Sequence, residues 1–330
     1  MDELYDEFEA VLSARPVTSP WTTIDEDARL FVPDYDALAD VVAIPIAAGS
    51  GSETGRLAKA IDVWTAGELR RAGFDADEVW PRASKPRVLP RDIALYLRGL
   101  PAKERAAAEA RILKNKKVAP SDARVLGRAY VKQVDVLIAQ WSRGPELLVS
   151  TKSMVSSFRN NLPNRFEESY GDAKNLRGRY PLVSMGFLFL LRSTVADEAG
   201  TLDRVVDMLR KLRVEEDVYD STCLILAEWE DGPVFEGVTV RTDLVPSDLQ
   251  ADVFLGSLID AVLSRTPIDM HVPVRESREG RDLEIVEADD TIGEHGEELE
   301  LAEKAGPVMT PDEALDAMTT EAENLGLYGD

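Results

Sequence analysis

Three kinds of side chain in residues 131–179 could act together on one phosphodiester: Asp135, Lys152 and a glutamate at 167 or 168. Hydrolysis of that bond needs a metal to activate water, stabilisation of the charge that builds on phosphorus, and protonation of the leaving oxygen. Mg²⁺ is a hard ion that takes one or two carboxylates and keeps several waters. Asp135 and Glu167 are the expected ligands, with Glu168 beside them. Lys152 is expected to hold the scissile phosphate and to orient or deprotonate the attacking water. Ser150, two residues ahead of Lys152, is expected to contact a metal-bound water. Glu146 shares the strand face of Ser150 and Lys152 but stands about 13 Å further along it. Glu53 or Glu68 could add an outer carboxylate from an earlier helix.

These residues can converge only if short elements bring them together. Val134–Ala139 and Leu147–Val149 are too short for helices and flank Arg143-Gly144-Pro145, which predicts a β-hairpin. Strand alternation then puts Ser150 and Lys152 on one face. A helix with Pro163 in its first turn follows. If Phe166 points inward, Glu167 lies on its flank beside Tyr170 and Lys174, and Glu168 faces further out. Gly186–Leu191 and Cys223–Trp229 read as buried strands, with a helix over Leu202–Leu212 between them. Val238–Leu244 is a further strand candidate and Pro246–Leu263 a final helix.

Upstream, Leu57, Ala60, Ile61, Trp64 and Leu69 repeat at helical spacing, so Glu53–Ala72 is expected to be a helix, stopped by Gly73. Residues 74–90 read as a basic irregular segment. Arg91–Leu100 and Ala102–Lys114 read as two helices, and Ser121 as the cap of another over Asp122–Tyr130. Residues 1–40 carry a short helix near Glu3–Leu12 and otherwise read as loop, and Val41–Ala48 as a strand or packed loop. Helices interleaved with strands around a hairpin make an α/β protein with a mixed sheet.

The net charge of −23 argues against a nucleic-acid partner until it is divided along the chain. Residues 1–40 hold 11 acids and 2 bases, and residues 276–330 hold 18 acids and 3 bases. Residues 51–192 hold 15 acids and 26 bases, so the candidate site lies in basic surroundings. Arg159, Arg165, Lys174, Arg177 and Arg179 are spaced to line a phosphate groove. Arg177 and Arg179 could instead read guanine edges. Lys116 and Lys117 end a second basic cluster that could clamp DNA. The expected organisation is an acidic segment over 1–48, a folded body over 49–275 with a basic helical insertion at about 75–130, and a disordered acidic tail over 276–330, with a possible short helix at Pro311–Leu325.

Other classes fit less well. No apolar run approaches the ~18–20 residues of a membrane span, and no secretory signal is visible. A single cysteine, Cys223, excludes an intramolecular disulfide and suits a reducing cytoplasm. Two histidines exclude a histidine-rich zinc site. Ala48-Gly49-Ser50-Gly51-Ser52 lacks the Gly-Lys-Ser/Thr end of a phosphate loop.

VDVLIAQ followed by VSTK, with GRLAKAIDVWTAGELRRAGF as a first core helix, resembles the PD-(D/E)xK nuclease superfamily, which includes most type II restriction endonucleases. The resemblance covers roughly residues 53–230 and implies a restriction-endonuclease-like core: a central mixed β-sheet flanked by helices. Ser150 stands where that family usually has a carboxylate. Some of its members carry Ser-x-Lys there and place the acid on the following helix, about fourteen residues past the lysine. Glu167 and Glu168 lie one or two residues beyond that point. The resemblance implies Mg²⁺-dependent cleavage of double-stranded DNA in host defence, by a homodimer with a cognate methyltransferase in the same system. The alternatives are an inactive DNA-binding or assembly protein on this fold, and an acidic DNA mimic or interaction protein.

Overall fold

A computed structural model of the chain describes residues 2–24, 29–49 and 54–284. The N-terminal part runs α1 (Asp2–Ser13), β1 (Trp21–Thr23), β2 (Arg29–Phe31), α2 (Tyr35–Ala47) and α3 (Arg56–Arg71). The basic segment follows as β3 (Val79–Trp80), α4 (Arg91–Gly99) and α5 (Ala102–Lys114). Next come β4 (Ala123–Leu126), β5 (Val131–Val134), β6 (Val136–Gln140), β7 (Gly144–Met154) and α6 (Phe158–Arg177). The remainder is β8 (Ser184–Arg192), α7 (Thr201–Val214), β9 (Ser221–Glu228), β10 (Thr239–Val240), α8 (Ala251–Arg265) and α9 (Val272–Glu279).

Six strands form one mixed sheet in the order β10-β9-β8-β7-β6-β3. β3, β6 and β7 are antiparallel neighbours, as the predicted hairpin requires. β7, β8 and β9 are parallel, so each step between them needs a crossover, and α6 and α7 supply them. Parallel strands covered on both faces read as unbroken apolar runs, which is why GFLFLL and CLILA carry no alternation. Val149, Leu188, Leu190 and Ile225 face α1, α2, α3 and α8 in one core. Leu148, Phe187, Phe189 and Leu226 face α6 and α7 in the other. Gly186 has no alternative at its position: a Cβ there would stand 2.6 Å from Leu258 and 2.7 Å from Phe254 of α8.

The acidic first 48 residues do not stand apart from the body. Tyr5, Phe8, Trp21, Phe31, Leu38 and Val41 are all buried in the α3-side core. Val41–Ala48 is neither strand nor loop. It is the second half of α2, whose apolar repeat starts upstream at Ala37 and Leu38 and whose first turn is capped by Asp34, accepting from Ala37 N at 2.8 Å. Arg29 donates to the Ser277 carbonyl at 2.9 Å, so the first hairpin is clasped by α9. α9 also moves the onset of the expected tail: Val274 is fully buried and the helix runs to Glu279. Residues 285–330, and the short helix expected at Pro311–Leu325, lie outside the described residues.

The helix expected over Asp122–Tyr130 is instead β4 and a turn. Ala123 and Val125 are buried while Arg124 and Leu126 are exposed, a period of two. β4 pairs with β5 in a separate two-stranded ladder. The turn is held by Asn175 of α6, whose Oδ1 accepts from Ala129 N at 2.8 Å and whose Nδ2 donates to the Tyr130 carbonyl at 3.1 Å. Gly127 is required there, because a Cβ would stand 2.2 Å from Asn175. Of the strand expected at Val238–Leu244, only Thr239 and Val240 pair with β9. Trp141 lies in the turn of the β6–β7 hairpin and is 90% exposed.

Because α1 belongs to the core, Phe8→Ala should destabilise the whole body by roughly 3–5 kcal/mol, the usual cost of truncating a buried phenylalanine. Urea melts followed by far-UV circular dichroism measure this. A change below about 0.5 kcal/mol, the scale of ordinary surface substitutions, would contradict the integration of the N-terminal segment.

Candidate active site

The site forms where a strand leaves the sheet. β5 pairs only with β4, and β6 begins two residues after β5 ends, so Asp135 sits in the break between them. Opposite, β7 has β6 as a ladder partner only as far as Val149. The Thr151 N–H on that side lacks a strand partner and donates instead to Asp135 Oδ2 at 3.0 Å. The Thr151 hydroxyl, on the α3 side of the sheet, donates to Asp62 Oδ1 at 2.5 Å. One residue thus binds two carboxylates through adjacent atoms. Asp135 Oδ1 has no hydrogen-bond partner among the described residues.

Asp62 is fully buried, an unusual place for an aspartate unless it is paired. Lys59, one helical turn earlier on α3, supplies the pair: its ammonium is 3.1 Å from Asp62 Oδ2 and 3.7 Å from Asp122 Oδ1. Burial alone would lower the Lys59 pKa, but the charges on Asp62 and Asp135 and the Tyr5 ring oxygen of α1 outweigh it and raise it. Burial pushes the Asp62 carboxyl upward and the Asp135 charge adds to this, with Lys59 and Thr151 pulling back without cancelling it.

On the α6 side, Ser150, Lys132, Asp172 and Tyr219 line a small cavity. Asp172 forms an ion pair with Lys132 and accepts from the Tyr130 hydroxyl at 3.3 Å. The Tyr219 hydroxyl is held protonated well above its ordinary range, first by burial and then by the charges of Asp172 and Asp135. Asp135 therefore acts electrostatically on groups of both faces, as its place in the strand break allows. Lys152 is half-buried beside Thr151 and has no ion pair or hydrogen bond among the described residues.

The expected residues divide accordingly. Asp135 lies in the strand break against Thr151, between Ser150 and Lys152 of β7, and no ion pair links Lys152 to it among the described residues. Glu167 and Glu168 do not join them: both are exposed, and Glu168 is paired with Arg165 at 2.7 Å. α6 presents Leu162, Ser169, Asp172, Ala173 and Leu176 to the sheet, so the acid of this helix that turns inward is Asp172. Phe166 is half-buried rather than central, which rotates the helix away from the orientation expected from sequence. Glu146 is engaged by Arg143 at 3.0 Å and His271 at 3.3 Å, and Glu68 by Arg71 at 2.5 Å. Glu53 lies outside the described residues.

Among the expected phosphate-binding residues, Arg177 is unavailable. It is buried and holds Asp220 at 2.7 Å together with the Val183 carbonyl, tying α6 to the ends of β8 and β9. Lys174 donates to the Glu216 carbonyl and Arg159 to the Ala199 carbonyl. Arg179 is exposed, with its guanidinium 5.9 Å from the Tyr180 ring centre. Lys116 and Lys117 are exposed. Lys59 and Asp62 were not anticipated from sequence. Their signal was an acid between Ile61 and Val63 in an otherwise apolar helical stripe, with a base three residues ahead.

Among the described residues no group of three or more histidine, cysteine, aspartate or glutamate side chains is placed to hold a metal ion. Asp62 and Asp135 share Thr151, but Asp62 is fully buried with Oδ1 on Thr151 and Oδ2 on Lys59, so of the two carboxylates only Asp135 keeps an uncommitted oxygen for a hard cation. No protein-family model, curated protein or solved structure matches this chain.

Lys59→Met leaves Asp62 buried without its counter-charge, which should cost roughly 3–5 kcal/mol at neutral pH. The sign of the pH dependence follows from the raised Asp62 pKa. Near pH 4 the carboxyl is largely protonated and little charge is stranded. As pH rises through the folded-state value the stranded charge appears, so the gap from wild type widens toward pH 8. Urea midpoints across that range test this, and a gap that narrows with rising pH is the contrary result.

Proposed function

We propose that this chain is a metal-assisted endonuclease of the PD-(D/E)xK type acting on double-stranded DNA, with its centre at Asp135. The observation that carries the reading is the Thr151 bridge, which ties Asp135 in the strand break to Asp62 of α3, with Lys152 following Thr151 on the opposite, Ser150-bearing face of the strand. The element order supports it: α3, the antiparallel pair β6 and β7, α6 and the parallel β8 run helix–strand–strand–helix–strand as in that superfamily, with β3, α4, α5, β4 and β5 inserted between α3 and β6.

Asp135 would hold Mg²⁺ through its uncommitted Oδ1, without Glu167 or Glu168, and Asp62 behind Thr151 would add negative charge to the site without touching the ion. A bound Mg²⁺ would supply Lewis acidity and a water of lowered pKa. Lys152 would bind a non-bridging phosphate oxygen and orient the attacking water, because it follows Thr151 on β7, is half-buried and is committed to no other group among the described residues. Thr151 fixes both carboxylates, so it positions rather than reacts. Ser150 faces Tyr219 and contributes to the cavity on the α6 side. A double-strand cut needs two such centres, which a homodimer provides, and a companion methyltransferase would protect the host's own DNA.

One observation favours the competing reading, a DNA-binding protein that keeps this fold without cleavage. The Lys59–Asp62 ion pair already neutralises one of the two carboxylates.

Plasmid cleavage in Mg²⁺ separates the two. Wild type should nick or linearise DNA, while Asp135→Ala, Lys152→Ala and Asp62→Asn should each lose at least about a hundredfold in rate, the scale expected for groups that act on the transition state. Glu167→Gln and Glu168→Gln should cut at the wild-type rate. If wild type leaves DNA of every methylation state intact, or the Asp135 and Lys152 variants cut equally well, the catalytic reading is wrong.

A further inference from the structure

The basic side chains between residues 70 and 128 fall into two groups. From Arg70 to Arg98 all seven hold acids: Arg70 holds Glu9, Arg71 holds Glu68, Arg82 and Arg98 hold Asp77, Lys85 and Arg87 hold Asp6, and Arg91 holds Asp75. From Lys103 to Arg128 the pattern reverses. The eight bases there, Lys103, Arg105, Arg111, Lys114, Lys116, Lys117, Arg124 and Arg128, form no ion pair among the described residues, and all but Arg105 are exposed. Only three acids share that stretch, and Asp122 among them is turned to Lys59.

The scaffold under these cations is built outward. α5 buries no residue and packs on α4 through a small separate core around Leu89, Ala94 and Leu97. Such a hairpin adds little to the main core. The β4–β5 ladder places Arg124 on its exposed face, and Arg128 in its turn lies against Gly178, next to Arg179. The same stretch leads to the centre at both of its ends. Asp122 touches Lys59, and β5 stops one residue before Asp135. Lys117 is five residues from Asp122, hence within about 18 Å of it.

We infer that α5 and the β4–β5 hairpin grip the phosphate backbone of duplex DNA and lead it to Asp135. Unpaired cations held apart from acids, in a chain of net charge −23, create a local positive field that the rest of the surface would otherwise cancel. The composition points to a duplex rather than to single strands. Unpaired bases need a row of stacking platforms, and Tyr130 is the one aromatic residue between 103 and 134. The inference rests on the nuclease reading for the identity of its ligand. It relocates the clamp, because the 70–98 half of the basic segment is occupied by internal ion pairs.

The test is binding, measured apart from cleavage. A short labelled duplex is titrated by fluorescence anisotropy in Ca²⁺ across about 50–200 mM salt, with Asp135→Asn as the parent chain. The variant Arg111→Gln/Lys114→Gln/Lys116→Gln/Lys117→Gln and the variant Arg124→Gln/Arg128→Gln should each bind about tenfold or more weakly. Each should show a salt slope shallower by about one for every phosphate that is no longer neutralised. Their circular dichroism should match the parent, since these side chains hold nothing else. Arg210→Gln/Lys211→Gln on α7 removes two cations already paired with acids and should bind like the parent.

Equal affinity and slope in both multiple variants overturn the inference, as does a parent that fails to bind duplex at low salt. Displacement of duplex by polyglutamate at equal charge concentration also overturns it and assigns the surface to an acidic protein. Duplex binding by the parent that the variants lack, with no cleavage by wild type in Mg²⁺, upholds the surface and removes the catalytic reading. Wild-type cleavage that both variants retain at limiting DNA removes the surface and leaves the catalytic reading in place.

Discussion

The geometry of the candidate site depends on one residue's two donors. Thr151 of β7 gives its N–H to Asp135 in the break between β5 and β6 and its hydroxyl to Asp62 of α3. The arrangement exists because β5 turns away to pair with β4. Had β5 continued along β7, the Thr151 N–H would have met a carbonyl and Asp135 would have had no role in the ladder. A carboxylate at that point replaces a backbone acceptor, so the same bond that satisfies the strand edge also places a charge there.

Fully burying Asp62 carries a desolvation cost that its neighbours only partly offset, and the cluster is organised around that fact. Lys59 brings the counter-charge, Asp122 shares it at the rim, and Tyr5 packs against it from α1. Buried ion pairs of this sort add little net stability over apolar packing but are strongly destabilising when broken. The link through Thr151 to Asp135 in the strand break is what distinguishes this cluster from the ion pairs elsewhere in the body, such as Arg177 with Asp220.

Much of the fold was legible because its signals are local. Apolar runs such as Gly186–Leu191 and the helical repeat from Leu57 to Leu69 report burial directly, and the β6–β7 hairpin followed from run length and a Gly-Pro break. That hairpin is also what brings Asp135 opposite the segment that carries Lys152. What failed depended on distant partners. Whether Glu167 or Asp172 faces the sheet is set by the rotation of α6 against Tyr219 and Asn175, which helical periodicity alone fixes only to within a residue or two. Ser121 marks 122–130 as a capped helix in sequence, but the stretch is a strand and a turn held by Asn175, 45 or 46 positions away. Acidic composition suggested a detached N-terminus, yet Asp6 and Glu9 are acids that pair with the basic segment while Tyr5 and Phe8 enter the core.

The clasp between Arg29 and the Ser277 carbonyl has a consequence for synthesis. It joins positions 248 residues apart, and the Thr151–Asp62 contact spans 89. Contacts so far apart in sequence close late in folding, after the more local hairpin and helices have formed. On the ribosome, the strand edge at Asp135 emerges long before α9 can fasten the first hairpin. The Arg29 clasp therefore cannot close until translation has passed residue 277.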